Sequence, residues 1–352
     1  MTPTLLLALS LSPSASAYDD IINGDAVSRS VYPETGGLLV GATIDFDGFE
    51  YEFKMLMCSA TLIAPDVVLL AAHCVDFAYF EAMAGLEFSE VDILFSRQAD
   101  LSAYTGMPQE WPSDAVYAWE AVTHQGFSMD SIGMGLSEND DIGLLFLEEA
   151  IEDVAPAVVV TSDEADAIVE GAIVDIVGWG QQTSDQTPPA GTVGIKMGGQ
   201  SVIGAVADYE FQVGPDDDDV RKCHGDSGGP TFMEIDGGVR LIGVTSHAYD
   251  LTDCRETGGV DTRVDYYLDW IDNEMRSRCE SGERVWCDED GILGPDYGSG
   301  GDLSLENDDE KEALSVSLGD EDEGGCSCSS TPSRGSFVWL TGLLGLVGLR
   351  RR

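Results

Sequence analysis

Basic residues are scarce in this chain. Its 352 residues include 17 lysines and arginines against 65 aspartates and glutamates, so the formal net charge is −48. Because phosphate binding needs a basic surface, this deficit excludes nucleic acid as a partner and argues against docking on anionic lipid. A surface this acidic repels itself, which is most tolerable where salt screens the charges.

The C-terminal end has only a short apolar run, which is marginal for a stable membrane span. Residues 337–349 are mostly apolar and are followed by arginines 350–352, whereas a spanning helix needs about 20 apolar residues. With Cys326 and Cys328 ahead of it, this tail resembles the Cys-containing C-terminal sorting signal of myxobacterial surface proteins. The resemblance implies transient membrane insertion, cutting near a cysteine and display on a bacterial cell surface. An ordinary tail anchor and a buried helix are the alternatives.

The N-terminal end lacks a basic residue before its first apolar stretch, at residues 5–11. That stretch is nevertheless followed by Ala15, Ser16 and Ala17, small residues that are typical of a signal-peptide cleavage site. We therefore predict that residues 1–17 are a secretory signal peptide and that residues 18–20 form a short propeptide. The eight cysteines agree with export to an oxidising compartment.

The region before the C-terminal tail has little apolar content. Residues 288–325 carry fourteen acidic residues and one lysine among several glycines and serines. Such a composition cannot bury enough apolar surface to offset the loss of chain entropy, so it predicts a disordered linker. Residues 326–352 then form the Cys motif, the apolar segment and the arginine-rich end.

The middle of the chain, residues 21–278, has the pattern of an all-β domain. Short runs rich in Val, Ile, Leu and Phe alternate with Gly, Asp and Ser turns, as at 38–44, 61–72 and 173–179. One late segment, Val264–Arg278, has apolar residues at helical spacing and predicts a closing amphipathic helix.

Three short motifs in this segment carry chemistry. Attack on an amide carbonyl needs an activated hydroxyl, a base that takes its proton and a carboxylate that orients the base. Glycines beside the hydroxyl let the backbone turn tightly, so that the N–H groups of Gly225 and Ser227 can converge on a developing oxyanion. In chain order the motifs are Ala71-Ala72-His73-Cys74, Asp141-Ile142-Gly143-Leu144-Leu145 and Gly225-Asp226-Ser227-Gly228-Gly229-Pro230.

Over residues 21–278 the chain resembles the chymotrypsin/trypsin-type serine endopeptidases, which have their catalytic residues in the order His, Asp, Ser. Other segments match in place: Ile21-Ile22-Asn23-Gly24, Cys58-Ser59-Ala60-Thr61-Leu62-Ile63, Gly178-Trp179-Gly180 and Ser246. The resemblance implies two six-stranded antiparallel Greek-key barrels with a C-terminal helix. It also implies a monomer that cleaves protein or peptide substrates through an acyl-enzyme on Ser227, with His73 as base and Asp141 orienting it. Two alternatives stay open: a non-catalytic binding module, and an esterase with the same machinery.

The cysteines fit this resemblance, which implies a disulfide between Cys58 and Cys74 and another between Cys223 and Cys254. The remaining two cysteines before the linker, Cys279 and Cys287, would close a small local loop at 279–287 by proximity. We expect no metal and no cofactor, because paired clusters of zinc ligands with suitable spacing do not occur.

The residue six positions before the proposed nucleophile differs from that of trypsin-like relatives. In those relatives, this residue forms the floor of the primary specificity pocket. An Asp would select Lys or Arg substrates, but this chain has Arg221, followed by Lys222. A buried guanidinium needs a partner, and a substrate carboxylate would provide one through bidentate hydrogen bonds. We therefore expect a preference for Asp or Glu before the scissile bond. Alternatively, Asp261 or the acidic run 216–219 pairs with Arg221 and leaves a pocket for apolar or small residues.

The other residues of the expected pocket are Ser246, His247, Ala248 and Gly259. His247 stands where the family usually has Trp, and Ala248 where it usually has Gly, so its methyl group would narrow the entrance. Cleavage after Lys or Arg would require Asp261 to face the cavity while Arg221 turns away.

Activation is expected to follow a cut before Ile21. In the family, the new α-amino group pairs with the Asp that precedes the nucleophile, which is Asp226 here. That cut would follow Asp20, an acidic residue that a pocket with an arginine floor accepts, so the sequence also suggests self-activation.

Overall fold

The computed structural model of the protein describes residues 21–46, 49–84, 87–181, 193–250 and 257–293. The chain divides into two units, Met1–Ile292 and Leu293–Arg352. The predicted signal peptide, propeptide and sorting tail lie outside the described residues, as does all of the predicted linker beyond residue 293. Both barrels belong to the first unit.

Six antiparallel strands close the first barrel: β2 (Thr35–Phe46), β3 (Phe49–Ala64), β4 (Val67–Leu70), β5 (Phe88–Ser96), β6 (Val116–Thr123) and β7 (Gly143–Leu147). Its neighbours run in the order β2-β3-β4-β7-β6-β5, and β2 pairs with β3 along its whole length. The side chains that point inward, among them Leu38, Leu62, Phe95 and Phe146, are fully buried, so apolar burial stabilises the closed sheet.

Six further strands form the second barrel: β8 (Ile173–Gly178), β9 (Met197–Val206), β10 (Glu210–Val213), β11 (Pro230–Ile235), β12 (Gly238–Ala248) and β13 (Gly259–Arg263). They lie in the order β9-β10-β13-β12-β11-β8, and β8 pairs back onto β9 to close the barrel. A two-residue strand, β1 (Asp25–Ala26), adds to the edge of β9. The two barrels confirm the fold class predicted from the sequence.

Two α-helices accompany the described strands. The predicted closing helix is α2 (Leu268–Glu280), and a 3₁₀ turn at Asp265–Tyr267 precedes it, so the regular helix begins four residues later than the periodicity indicates. The sequence did not indicate α1 (Phe77–Ala84), which lies in the long segment between His73 and Asp141. No helix among the described residues is long and apolar enough to cross a membrane.

The small loop after α2 is fastened to the first barrel. The predicted disulfide between Cys279 and Cys287 is present. Inside this loop Arg284 Nη2 lies 2.7 Å from Asp66 Oδ1, and both side chains are buried. The backbone N–H of Trp286 donates to the other oxygen of Asp66 at 3.0 Å. Since Asp66 occupies the turn between β3 and β4, the loop is part of the packed domain rather than an appendage.

Candidate active site

His73 lies in a 3₁₀ turn, Ala72–Cys74, directly after β4. The predicted disulfide joins Cys74 to Cys58 of β3. Because β3 and β4 are adjacent strands, this disulfide holds the His73 turn against the first barrel. The backbone of His73 is also fixed, since its N–H donates to Asp141 Oδ1 at 2.9 Å.

Asp141 is fully buried just before β7, and its carboxylate makes three hydrogen bonds. Oδ1 accepts from the His73 backbone, while Oδ2 accepts from His73 Nδ1 at 2.7 Å and from Ser246 Oγ at 2.5 Å. Burial by itself would raise the pKa of Asp141, but the imidazole of His73 and these hydrogen bonds outweigh burial, so the pKa lies below its usual value. The carboxylate is therefore ionised at neutral pH and holds the proton of His73 on Nδ1.

The backbone of Asp141 is held as firmly as its side chain. Thr262 Oγ1 of β13 donates to the Asp141 carbonyl oxygen at 3.0 Å, and the Asp141 N–H donates to Asn139 Oδ1 at 3.1 Å. Strands of both barrels therefore position the carboxylate, since Ser246 belongs to β12 and His73 follows β4.

The turn that carries Ser227 packs against β3. The backbone N–H of Ser59 donates to the Ser227 carbonyl oxygen at 2.8 Å, and Ser59 Oγ donates to the Gly225 carbonyl oxygen at 3.0 Å. Gly228 has φ +75°, and a Cβ there would lie 2.4 Å from the Ser59 carbonyl oxygen, so only glycine fits. Ser59 follows the disulfide-bonded Cys58, and the Ser227 turn is thereby brought to the same strand as the His73 turn.

Ser227 itself is half-buried, and its Oγ makes no hydrogen bond within the described part of the chain. The backbone N–H groups of Gly225 and Ser227 likewise donate to no described group, whereas Asp226 N, between them, donates to Cys223 O at 3.0 Å. Gly225 has φ +94°, a conformation that L-residues rarely adopt. Two backbone donors beside a hydroxyl are thus available to a ligand.

The end of β12 adds a second imidazole to this site. His247 Nδ1 lies 3.0 Å from Ser246 Oγ, and Nε2 lies 3.2 Å from the carbonyl oxygen of Gly135. Burial lowers the pKa of His247, and the Gly135 carbonyl and the carboxylate of Asp141 oppose that effect. The next residue, Ala248, pairs in register with Gly259 of β13.

Arg221 and Lys222 are both buried, but they have different partners. Lys222 Nζ lies 2.8 Å from Asp261 Oδ2 and donates to Thr231 Oγ1 at 2.6 Å. Within the described ranges, the carboxylate that approaches Arg221 is that of Asp217, at 3.7 Å from Nη2, and the Asp217 side chain is 89% exposed. The Nε and Nη1 atoms of Arg221 have no hydrogen-bond partner among the described residues. Asp261 is therefore engaged by Lys222 and not by Arg221.

Asp226 is a buried carboxylate held by backbone donors. Its Oδ1 accepts from Gly180 N at 2.8 Å and its Oδ2 from Cys223 N at 2.9 Å. Burial outweighs these bonds and raises the pKa of Asp226 to about 6. Ile21 is fully buried, and the carbonyl oxygen of the next residue, Ile22, accepts from Arg221 N at 2.9 Å. Cys223 is disulfide-bonded, and its expected partner, Cys254, lies outside the described residues.

The comparison with known families agrees with this architecture. The model of the family described as "Trypsin" matches residues 21–271. The chain belongs to the trypsin family. It is 26% identical to phenoloxidase-activating enzyme 1 of Spodoptera litura over 274 residues, which cover 69% of this chain and 68% of the relative.

Two further relatives of this trypsin-family chain come from Homo sapiens. Kallikrein-11 is 26% identical over 263 residues, covering 68% of this chain and 84% of the relative. Chymotrypsin-like elastase family member 1 is 26% identical over 231 residues, covering 62% and 81% respectively.

The three potential metal ligands that lie close together among the described residues are Cys58, His73 and Cys74. Cysteine binds metal as the thiolate, and both of these sulfur atoms are joined in a disulfide. In this trypsin-family chain the cluster therefore fits the structural role of the disulfide better than a metal site.

Sequence reasoning missed two features of the site. It identified His247 only as a replacement for the usual Trp, and it did not identify the contacts of both imidazole nitrogens. It also considered Asp261 as a partner of Arg221 but did not pair it with Lys222. The residue types were visible in the sequence, but Gly135, which contacts His247, lies 112 residues away in a loop, and Asp261, which pairs with Lys222, lies 39 residues away on β13.

Proposed function

We propose that this trypsin-family protein is a secreted serine endopeptidase that uses Ser227 as nucleophile, His73 as base and Asp141 as the carboxylate that orients the base. The observation that carries the proposal is the buried Asp141 carboxylate, which binds both Nδ1 and the backbone N–H of His73. With its proton held on Nδ1, His73 presents the lone pair of Nε2, which is the state that a general base requires.

The proposed reaction proceeds in two halves. Ser227 Oγ attacks the scissile carbonyl carbon and transfers its proton to His73 Nε2, while Asp141 stabilises the imidazolium. The free N–H groups of Gly225 and Ser227 bind the oxyanion. The C–N bond then breaks as His73 returns the proton to the leaving amine, and an acyl-enzyme remains on Ser227. Water activated by His73 hydrolyses this ester in the second half.

A fluorophosphonate probe tests this proposal, because it modifies a serine only where the hydroxyl is activated. We expect the mature chain, beginning at Ile21, to incorporate one equivalent at Ser227 and to cleave casein or a peptide library. Ser227→Ala should incorporate none. Ser281→Ala, at an exposed serine after α2, is the matched control and should be labelled like the parent.

An unlabelled parent chain that is folded and mature would favour the non-catalytic binding module. Labelling accompanied by hydrolysis of ester substrates alone, with no amide hydrolysis, would favour the esterase. These two outcomes separate the alternatives that the shared machinery leaves open.

We propose further that the enzyme prefers an acidic residue before the scissile bond. The two cations of the expected pocket are paired unequally. Lys222 is neutralised by Asp261 at 2.8 Å, whereas two guanidinium nitrogens of Arg221 have no partner in the part of the chain that the structure describes. An uncompensated buried cation is costly, and a substrate carboxylate would supply the missing hydrogen bonds. The exposed Asp217, at 3.7 Å, is the rival partner within the chain.

Replacing Arg221 with glutamine should lower kcat/KM for substrates with Asp or Glu at this position by about 10- to 100-fold, the value of one or two hydrogen bonds to a charged group. Substrates with small apolar residues should change by less than about threefold. A peptide-library profile of the mature enzyme beside the variant measures both effects.

Arg240→Gln is the matched control, since Arg240 pairs with Glu164 instead of facing the pocket, and its profile should equal the parent's. If the Arg221 variant also cuts as the parent does, Arg221 is neutralised inside the chain and the pocket assignment is wrong. Arg221→Asp extends the test, because a reversed charge should disfavour acidic substrates further.

Activation and localisation complete the proposal. We propose that cleavage before Ile21 frees an amino group that pairs with the buried carboxylate of Asp226. Secretion and display on the cell surface rest on residues 1–17 and 326–352, which lie outside the described residues; the disulfides of the domain agree with an oxidising compartment. Fractionation of producing cells into medium, surface and cytoplasm tests this part, and a protein confined to the cytoplasm would contradict it.

A further inference from the structure

A continuous hydrogen-bonded chain links two imidazoles through one carboxylate. It runs from the Gly135 carbonyl oxygen to His247, at 3.2 Å from Nε2, and from His247 Nδ1 to Ser246 Oγ at 3.0 Å. Ser246 Oγ contacts Asp141 Oδ2 at 2.5 Å, and the same oxygen accepts from His73 Nδ1 at 2.7 Å.

Whether every hydrogen bond in this series can form at once depends on the charge of His247. The hydroxyl of Ser246 has one hydrogen, and an ionised carboxylate only accepts, so that hydrogen goes to Asp141. His247 Nδ1 must then donate to Ser246 Oγ. The Gly135 carbonyl oxygen also only accepts, so His247 Nε2 must donate as well. Both ring nitrogens donate only in the imidazolium. The complete series of hydrogen bonds from Gly135 to His73 therefore requires protonated His247.

Neutral His247 leaves one link unmade. If its proton stays on Nε2, then Nδ1 becomes an acceptor and competes with Asp141 for the hydroxyl proton of Ser246. If the proton moves to Nδ1, the Nε2 lone pair faces the Gly135 carbonyl oxygen. The protonation of His247 thus decides how firmly Ser246 donates to the carboxylate oxygen that His73 also uses.

We propose that His247 is a positioning residue of the catalytic site: a second imidazole that shares the carboxylate of Asp141 with His73 through Ser246 Oγ and sets the acid limit of the pH range in which the site works. The inference rests on the proposed function, because it takes His73 as the base.

The surroundings of His247 favour titration on the acid side of neutrality. Burial lowers its pKa; the Gly135 carbonyl and the carboxylates of Asp141 and Asp261 raise it, and the charge of His73 lowers it. Asp261, on β13, is already paired with Lys222. Glu210 of β10, whose pKa burial raises to about 8, is protonated and neutral where His247 titrates.

The loop that contains Gly135, whose carbonyl oxygen contacts His247, is held to the end of β12. The backbone N–H of Gly135 donates to the carbonyl oxygen of Tyr249 at 2.9 Å, two residues beyond His247. The acceptor of Nε2 therefore keeps its place whether or not the imidazole is charged, and a change in protonation acts through Ser246 and Asp141 rather than through loss of the loop.

The consequence for catalysis follows from charge. A positive His247 opposes protonation of His73, because both cations would face one carboxylate. Each charge therefore hinders protonation of the other ring, so at acid pH a larger fraction of His73 stays neutral and available as a base when His247 can also take a proton. Without His247, the acid limb of the kcat/KM profile should move to higher pH by about half a unit.

The pH dependence of kcat/KM for the mature enzyme, His247→Gln and His124→Gln measures this shift. Glutamine can still donate to Gly135 and contact Ser246 but cannot be charged. His124 is the matched control, since its imidazole lies 3.5 Å from Asp140 and packs on Tyr267 and Trp270 away from Asp141. We expect the acid limb to move in His247→Gln alone. A His247→Gln profile that is merely scaled, with its acid limb in place, would overturn the proposal.

A second measurement needs no hydrolysis. In mature Ser227→Ala, the ¹⁵N and downfield ¹H signals of His73 Nδ1–H can be followed against pH, since the chain has four histidines to assign. We expect two steps, the more acidic of which disappears in the Ser227→Ala, His247→Gln double variant. A response of His73 that is identical in both chains would refute the coupling. If His73 responds to His247 while the parent enzyme neither reacts with the fluorophosphonate nor cleaves peptides, the proposed function is wrong. The sharing of the Asp141 carboxylate by the two imidazoles is then still supported.

Discussion

Replacing Asp141 with asparagine should lower kcat for peptide hydrolysis by about 10⁴-fold while the fold is retained. In the parent, Oδ2 accepts from His73 Nδ1 at 2.7 Å. An asparagine NH₂ group at that position donates, so it favours the tautomer of His73 with its proton on Nε2. With its proton on Nε2, His73 has no lone pair there to accept the proton of Ser227, so the proposed base is lost. Single-turnover and steady-state assays with peptide substrates measure the loss, and circular dichroism checks the fold.

Asp140→Asn is the matched control, because it changes the neighbouring carboxylate, which accepts from Tyr267 Oη at 2.8 Å and lies outside the His73 contacts. It should retain kcat within about tenfold. If Asp141→Asn loses no more activity than this control, Asp141 does not orient the base, and the proposed triad is wrong.

The second large effect is expected at Asp226. While a peptide bond precedes Ile21, the carboxylate of Asp226 is buried and its pKa is raised to about 6. The unfolded chain releases this proton near pH 4, so the stability of the folded chain falls as pH rises from about 4 to 6, and the cost remains above that. A shift of this size corresponds to roughly 3 kcal/mol.

Cleavage before Ile21 should remove this cost, because a free α-amino group with a pKa near about 8 is charged between about pH 6 and 8. The free energy of unfolding of the mature chain should therefore exceed that of the chain beginning at Tyr18 in this window. The difference should vanish near pH 4, where Asp226 is protonated, and decline above about pH 8. Urea unfolding of both forms at several pH values measures it.

Asp226→Asn should abolish this pH-dependent difference and lower kcat by about 10²- to 10³-fold, since the two oxyanion donors flank this residue. Asp218→Asn, at an exposed carboxylate of a neighbouring loop, should leave both quantities unchanged. A stability difference between the two forms that does not vary with pH would refute the ion pair.

Local motifs account for what could be predicted from sequence. The residues around His73 and Ser227 form short sequence motifs. Their recognisable features lie within a few residues along the chain, such as the glycines that allow the Ser227 turn. The strand pattern likewise predicted an all-β domain, because short apolar runs between turn residues are typical of strands, whereas the two barrels were expected from the family resemblance. The disulfide between Cys279 and Cys287 followed from proximity along the chain.

Contacts between distant strands were harder to predict. The α1 helix was missed because its eight residues, Phe77–Ala84, are mostly apolar and show no clear period. The pairing of Lys222 with Asp261 depends on which strand lies beside residue 222, and a shift of one residue in β13 would turn Asp261 to the other face of the sheet.

The sequence by itself determined the fold class, the family resemblance and the three residues proposed for catalysis, because each depends on local pattern or on order along the chain. Only the tertiary structure decided that Asp261 neutralises Lys222 instead of Arg221, and that His247 reaches Asp141 through Ser246. Hydrogen bonds and ion pairs require atoms within a few ångströms, and the closure and register of two barrels, rather than spacing in the sequence, bring those atoms together.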